Sequence, residues 1–379
     1  MNLWSEARNI LCVRLDAMGD FLMTTPAIRA LKRPGIGRRI SVLVSPSGAE
    51  AARLVREIDE VIVYEAPWMK ASRPQGESEA DLEMVESLRA REFDAAVIFT
   101  VYSQSPLPAA LLCHLAGIPL RIAHCRENPY QLLTDWVQDP EPDRKLRHEV
   151  RRQLDLVARV GCVPANERLS LSCAHAARQR VRSILGELGI GGSDRDWIVI
   201  HPGASAASRR YPEDLFARVT SELSARHGFR LIFTGTDREG PLTERIRKGA
   251  GSSLAGLLSL DEFAALIEMA PLLLSNNTGA VHVAAAVGTP VVDLYALTNP
   301  QHTPWLVPSR VLYRDVECRY CYKSVCPEGH HLCLRLVTPE AVVEAVLDLS
   351  REVQAGTHSE PRGMEPLPPV TPGGLRCSL

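Results

Sequence analysis

The sequence predicts an α/β protein made of two doubly wound halves, each a parallel sheet covered by helices on both faces. Three observations predict it. Short, continuously apolar runs alternate with helical patterns along nearly the whole chain, as strands buried on both faces require. The alternation restarts after Gly189-Ile190-Gly191-Gly192-Ser193-Asp194, a glycine-rich stretch suited to a hinge. At three places an apolar run breaks into small and polar residues and then becomes a helix: 10–15 before Asp16-Ala17-Met18-Gly19-Asp20, 198–201 before Pro202-Gly203-Ala204-Ser205, and 271–274 before Ser275-Asn276-Asn277-Thr278-Gly279. Such a turn points backbone N–H groups and the positive end of a helix outward, where an anion binds.

The elements follow in order. Strands are predicted at 10–15, 40–44, 61–64, 95–99 and 120–123, with helices at 21–32, 49–55, 79–91 and 108–117 between them. The polar stretch 66–80, with Pro67, Pro74 and Gly76, reads as a loop and a candidate lid, and 126–147 reads as irregular. Helices at 149–161 and 174–188 lead to the hinge. Beyond it come strands at 197–201, 230–234, 272–275 and 290–295, with helices at 212–227, 241–248, 260–269, 279–287 and 339–351. This gives a first domain over 1–190, a second over 191–352 and a disordered, Pro- and Gly-rich tail over 353–379. Two such sheets are expected to face a common cleft with their carboxyl ends, where ligands of doubly wound folds bind.

At 379 residues and 45% hydrophobic content, the chain fills two cores. A formal net charge of −2, with signs mixed along the chain, gives no field to hold nucleic acid, so no nucleic-acid partner is expected. No apolar run approaches the roughly 18 to 20 residues that span a bilayer, and the first residues have no signal-peptide core. A soluble cytoplasmic protein is expected. Of the ten cysteines, six are scattered and read as inert thiols, Cys12 and Cys113 in apolar settings among them. Cys318, Cys321, Cys326 and Cys333, with His330 and His331, fall in one short segment that suits a tetrahedral metal site, reduced thiols or disulfides, with a cytosolic setting favouring the first two. Asp194-Arg195-Asp196 has the spacing of a metal-binding Asp-x-Asp, but it precedes a strand and so lies at the wrong end of the sheet.

The motifs taken together resemble the heptosyltransferases of glycosyltransferase family 9, which build the core of lipopolysaccharide. The resemblance is carried by Arg14-Leu15-Asp16-Ala17-Met18-Gly19-Asp20 with Thr25-Pro26-Ala27, and by His201-Pro202-Gly203-Ala204-Ser205 with Arg209-Arg210-Tyr211-Pro212. Further along it is carried by Gly235-Thr236-Asp237-Arg238-Glu239, Leu254-Ala255-Gly256 with Ser259-Leu260, and Asn276-Asn277-Thr278-Gly279 with His282. It implies a GT-B fold of two Rossmann-like domains and inverting transfer of a sugar from a nucleotide-sugar donor. It also implies that no cofactor is required for catalysis. Some related proteins bind iron at a similar cysteine cluster, so a structural zinc or iron at Cys318, Cys321, Cys326 and Cys333 is the corresponding expectation.

Asp20 is the candidate general base: Gly19 allows close approach of a ligand, and an inverting transfer needs a group to take the acceptor hydroxyl proton. Asp20 also suits the cap of a helix starting at Phe21, and Asp16 is the second candidate carboxylate. Gly19, Gly203, Ser205, Arg209, Gly235, Glu239, Asn277, Thr278, Gly279 and His282 are the candidate donor-binding residues. Arg209 grips a departing diphosphate where the family commonly has Lys. The resemblance implies that Glu239 reaches the donor ribose, and Thr278, Gly279 and the N–H groups after them are expected to hold the diphosphate. Asn277 stands where the family has Asp, which puts the donor sugar in question and predicts that Asn277→Asp retunes donor choice with little effect on stability. The expected partners are ADP-heptose or a related donor and a glycan acceptor such as lipopolysaccharide core, with peripheral contact at the inner membrane. The alternatives are heptosylation of a protein or small molecule, nucleotide-sugar epimerisation, and an inactive nucleotide-sugar-binding module.

Overall fold

The computed structural model describes residues 3–32, 37–69, 78–192 and 194–356. The chain divides into two compact units, Met1–Ser172 and Cys173–Leu379. In the first, α1 (Leu3–Glu6), β1 (Asn9–Arg14), α2 (Met18–Leu31), β2 (Arg39–Val44), α3 (Pro46–Ala52) and β3 (Glu60–Val63) are followed by α4 (Ser78–Arg89), β4 (Ala95–Ile98), α5 (Leu107–Leu115), β5 (Leu120–Cys125), β6 (Asp135–Gln138) and α6 (Glu149–Ala158). The strands pair in parallel in the order β3-β2-β1-β4-β5-β6. β1 sits at the centre, Ile10 beside Ile40 of β2 and Ala95 of β4, and Ile10 to Val13 are buried. That burial is what the continuous apolar run demands.

The second unit repeats the plan with α7 (His175–Glu187), β7 (Trp197–His201), α8 (Glu213–Ala225), β8 (Arg230–Phe233), α9 (Gly240–Arg247), β9 (Ser252–Ser253) and α10 (Leu260–Met269). β10 (Leu273–Asn276), α11 (Gly279–Val287), β11 (Val291–Leu294), β12 (Ser309–Leu312), α12 (Leu332–Arg335) and α13 (Pro339–Ala355) complete it. The order β12-β11-β10-β7-β8-β9 is the order of the first sheet when its strands are counted from β7. In each sheet the strand order therefore reverses beside the first strand, between β1 and β4 and between β7 and β10. Doubly wound folds bind ligands outside the carboxyl ends of the strands at such a point.

The structure corrects several expectations. α2 starts at Met18, not Phe21, because Ala17 is already extended and ends the turn; Asp20 is therefore inside the first helical turn and is not the cap. α2 also accommodates Pro26, which lacks the N–H for the Leu22 carbonyl: the Thr25 hydroxyl donates to that carbonyl at 2.7 Å instead. β6, β9 and β12 were not foreseen, and β6 lies inside the stretch read as irregular. The units divide ahead of α7, which packs on α10 of the second unit, and not at the glycines of 189–192. α13 runs to Ala355, past the expected end at 351. Residues 70–77 of the candidate lid and 357–379 of the tail lie outside the described residues. Among the described residues no helix is long and apolar enough to cross a membrane.

Candidate functional site

In the first unit, the loop after β1 gathers carboxylates around a buried arginine. Arg14 closes β1 and is 1% exposed; its Nε lies 2.8 Å from Asp16, its Nη1 2.8 Å from Glu149 on α6, and its Nη2 3.5 Å from Asp20. Burial opposes the charge on Arg14, but Asp16, Glu149 and Asp20 outweigh it and hold the guanidinium ionised. Gln104, in the loop after β4, donates to Asp16 across the point of strand reversal at 2.5 Å. Burial pushes Asp16 up to about 6, with Asp20 and Glu149 adding to the rise and Arg14 and Gln104 opposing it. Asp20 is the more open of the two loop carboxylates, with 19% of its side chain exposed against 9% for Asp16. It lies in the first turn of α2, where the helix dipole favours a negative charge, and Gly19 before it is buried.

The residues 126–147 and α6 form a polar support that sequence reasoning missed. Arg152 of α6 donates to Asp139 at 2.8 Å, to Glu141 at 2.6 Å and to the Thr100 carbonyl at 2.9 Å. Arg147 donates to Glu141 at 2.7 Å, and Gln153 donates to both Thr100 and Glu149. His124 accompanies them: burial, then Arg152 and Arg147, push it down to about 3, so its ring is neutral. Burial would raise Asp139, but its bond to Arg152 prevails and keeps it ionised. The Thr100 contacts span more than fifty residues, and the acids Asp139 and Glu141 lie in a loop outside α6, so no helical or strand period announces the cluster.

In the second unit, four loops at the carboxyl edge of the sheet are tied to one another. His201, ending β7, meets the Thr234 hydroxyl at 3.1 Å, and burial holds its ring below its usual range, with Glu239 opposing. Asn276, ending β10, donates to the Pro202 carbonyl at 2.7 Å and accepts the Tyr211 N–H at 2.9 Å, joining the loops on either side of the strand reversal. Gly203 and Glu239 touch so closely that a Cβ on Gly203 would lie 2.2 Å from Glu239 Oε1; one on Gly235 would lie 3.2 Å from Glu239 Cβ. Glu239 in turn accepts the Thr236 N–H and hydroxyl, each at 2.9 Å, so the carboxylate is set by its own turn. Arg209 is half-buried and close enough to Tyr295, just past β11, to act on its ionisation. Ser205 is exposed.

Thr278 caps α11, its hydroxyl accepting the Ala280 N–H at 3.4 Å, and Gly279 is half-buried at the first helical position. Asn277 is buried at 5% exposure, and its Nδ2 donates to Asp293 Oδ2 at 2.8 Å and to the His302 carbonyl at 3.0 Å. Asp293, fully buried on β11, is pushed up to about 8 by burial, which the bond from Asn277 only partly offsets. His282 is also buried, its ring 6.4 Å from that of His302. An acid thus lies beside Asn277 on the neighbouring strand, a contact that only the pairing of β10 with β11 reveals.

The cysteine segment packs against two of these loops. Ser208 donates its N–H to the Ser324 carbonyl at 3.0 Å and its hydroxyl to that of Lys323 at 2.7 Å, and Tyr322 N–H meets the Thr298 carbonyl at 3.0 Å. Burial, then Cys333, Cys326 and Cys321, raise the Cys318 thiol, and its sulfur lies 3.9 Å from His330 Nε2. As placed, these groups do not compose the expected metal site: among the described residues no set of three or more His, Cys, Asp or Glu side chains is arranged to hold an ion. Asp194 and Asp196 pair with Arg230 at 2.8 and 2.5 Å. Cys12, Cys113, Cys125, Cys162 and Cys173 are buried free thiols, and Cys377 lies outside the described residues.

Two doubly wound units of identical strand order, one with carboxylates at the reversal and the other with an anion-receptive helix start there, make up a glycosyltransferase of the GT-B fold. The chain belongs to glycosyltransferase family 9 (heptosyltransferase), whose model matches residues 82–332. It is 25% identical over 359 residues to lipopolysaccharide heptosyltransferase 2 of Escherichia coli K12, a match covering 91% of this chain and 99% of that protein. It is 30% identical over 166 residues to lipooligosaccharide heptosyltransferase 2 of Haemophilus influenzae, where the match spans 41% of this chain and about half, 48%, of the relative. A family 9 glycosyltransferase from Veillonella parvula superposes with TM-score 0.75 at 20% identity, covering 91% of this chain and 98% of that one. The ADP-heptose lipopolysaccharide heptosyltransferase II of E. coli gives 0.70 at 23%, covering 91% and 99%.

Proposed function

We propose that the protein transfers a heptose, with inversion, from ADP-heptose to a glycan acceptor of the lipopolysaccharide-core type. The observation that carries this reading is the placement of Asp20: a part-exposed carboxylate in the first turn of α2, beside Arg14, at the strand reversal of a family 9 chain. Asp20 takes the proton of the acceptor hydroxyl as that oxygen attacks the anomeric carbon, and the bond to the nucleoside diphosphate breaks. In the second unit, Gly203 and Glu239 shape the nucleoside end of the donor site. Arg209 and the N–H groups opening α11 neutralise the departing diphosphate. The names of the relatives support donor and acceptor, and work in the cytoplasm with peripheral contact at the inner membrane is part of the same proposal.

The test is transfer from ADP-heptose to a heptose-bearing core acceptor by the wild type and by Asp20→Asn. The amide keeps the shape but cannot take the proton, so turnover should fall by about 10² or more with donor binding kept. Unchanged turnover overturns the role of Asp20. Absence of transfer by the wild type, with ADP-heptose still bound, favours a nucleotide-sugar-binding module.

A structural zinc or iron at Cys318, Cys321, Cys326 and Cys333 requires the segment to close further around an ion. Protein purified without added metal should then carry about one ion per chain, and Cys321→Ser should lose it. Four freely titrating thiols on metal-free protein of the same stability rule the ion out.

A further inference from the structure

The shared arginine of the first unit meets a carboxylate that proton transfer does not require. Glu149 is fully buried in the first turn of α6, takes Arg14 Nη1 at 2.8 Å and accepts from Gln153 Nε2 at 2.6 Å. A buried carboxylate is costly unless paired, and an apolar side chain of similar size fills such a place without that cost. Glu149 is also the partner that lies outside the loop itself: Arg14 presents Nε to Asp16, Nη2 to Asp20 and Nη1 to Glu149, so the three acids take different nitrogens of one guanidinium.

We propose that Glu149 is a positioning residue that apportions the charge of Arg14, holding the guanidinium in place while limiting the positive charge it lends to Asp16 and Asp20, so that this pair accepts a proton near neutral pH. The proposal rests on the reading of Asp20 as the base with Asp16 beside it. The groups facing the pair from each neighbouring element set the direction of the effect. From the loop after β4, Gln104 donates to Asp16; from the loop after β2, the Ser45 hydroxyl donates to the Asp16 carbonyl at 2.6 Å. From α6, Arg152 turns to Asp139 and Glu141, while Arg14 is in ion-pair contact with both Asp16 and Asp20. With Glu149 neutralised, Arg14 keeps its full charge for Asp16 and Asp20 and a nearby negative charge is gone, so both changes favour the ionised form of the pair. The tendency of Asp16 to hold its proton up to about pH 6, to which Glu149 contributes, agrees in sign.

The experiment compares wild type, Glu149→Gln and Glu149→Asp in two readouts. The first is the pH profile of kcat/KM for transfer from ADP-heptose to a core acceptor. The second is the titration of aspartate side-chain carboxyl resonances by NMR, which needs no turnover. Glu149→Gln should move the acidic limb of the profile, and the titration midpoint of Asp16, down by about one pH unit. Glu149→Asp, which withdraws the charge from Arg14 by one methylene, should move both the same way by less; if the Gln variant does not fold, the Asp variant carries the test. A limb and a midpoint that stay in place in a folded variant overturn the proposal, as does an equal loss of rate at every pH, the mark of a merely structural role. A shifted midpoint in a protein whose Asp20→Asn variant retains full turnover leaves the electrostatic role of Glu149 standing and instead overturns the reading of Asp20 as the base.

Discussion

Asn277 and Asp293 show how one residue's role depends on a neighbour the sequence does not reveal. Taken alone, Asn277 is a substitution of the family's Asp, and exchanging it back promises altered donor choice at no structural cost. The structure removes the second half of that expectation, the absence of a structural cost, because Asn277 is buried with its amide on Asp293 at 2.8 Å, and an Asp there sets two buried carboxyl groups against each other. Asn277→Asp should therefore destabilise the protein, by about 2 to 4 kcal/mol above pH 7, where one of the two acids must give up its proton or the pair must part. Asp293 itself makes a signed contribution to pH dependence. Its folded value, near 8, stands above its ordinary value of 3.8, so its stabilising effect is complete below about pH 4 and is lost as pH rises through 8. Asp293→Asn, which imitates the protonated acid, should flatten denaturation free energies over that window and raise them at pH 8. The pair Asn277→Asp with Asp293→Asn should recover most of the stability lost by Asn277→Asp alone. Simple addition of the two single effects in urea melts at pH 8 would show that the side chains do not act together.

Among the elements, legibility followed burial. β1, β4 and β7 are built on continuous apolar runs, and β10 and β11 on apolar residues joined by the buried Ser275, Asn276 and Asp293; all five lie within a residue or so of the predicted bounds, because strands covered on both faces are mostly apolar. β6, β9 and β12 are edge strands, short and half-exposed, so their residues carry neither an apolar run nor a helical period. The turns after β1, β7 and β10 were expected from the sequence pattern and the loop after β8 from the family resemblance, but the contacts among them were not: nothing in the spacing of Gly203 and Glu239 says that they touch. That contact gives a sharp expectation. Gly203→Ala places a Cβ where Glu239 Oε1 lies, 2.2 Å away, and the flexible carboxylate must leave. Stability should change little, since a side-chain tip yields easily, whereas affinity for ADP should fall by roughly tenfold, the order of one lost polar contact to a charged group. Glu239→Ala should produce a similar fall, and the double variant should be no weaker than either, because both remove the same contact. Additive losses measured by calorimetry would mean that Gly203 and Glu239 act on the nucleotide separately.

Across the molecule, the same strand order occurs twice, and each copy has equipped its strand reversal for a different charge. The first unit gathers acids around Arg14, with buried ionic support from α6 and the segment before it. The second supplies the capped start of α11, backbone N–H groups and Arg209 beside loops held by Asn276 and by the cysteine segment. On the proposed donor site, an anionic nucleotide should be repelled by the former and attracted by the latter, and binding of the donor's nucleotide part should belong to the second unit alone. Hydrogen–deuterium exchange makes this visible. Saturating ADP should protect backbone amides at 202–211, 235–240 and 277–282 and leave 14–20 and 149–153 unchanged. The midpoint of thermal unfolding should rise as ADP increases, in proportion to RT ln(1 + [L]/Kd). Arg209→Ala should weaken ADP far more than adenosine, since its charge acts on phosphate and not on the base or ribose. Protection by ADP at 14–20 equal to that at 277–282 would contradict this division, because the acids around Arg14 would then have to tolerate a diphosphate that their charge opposes.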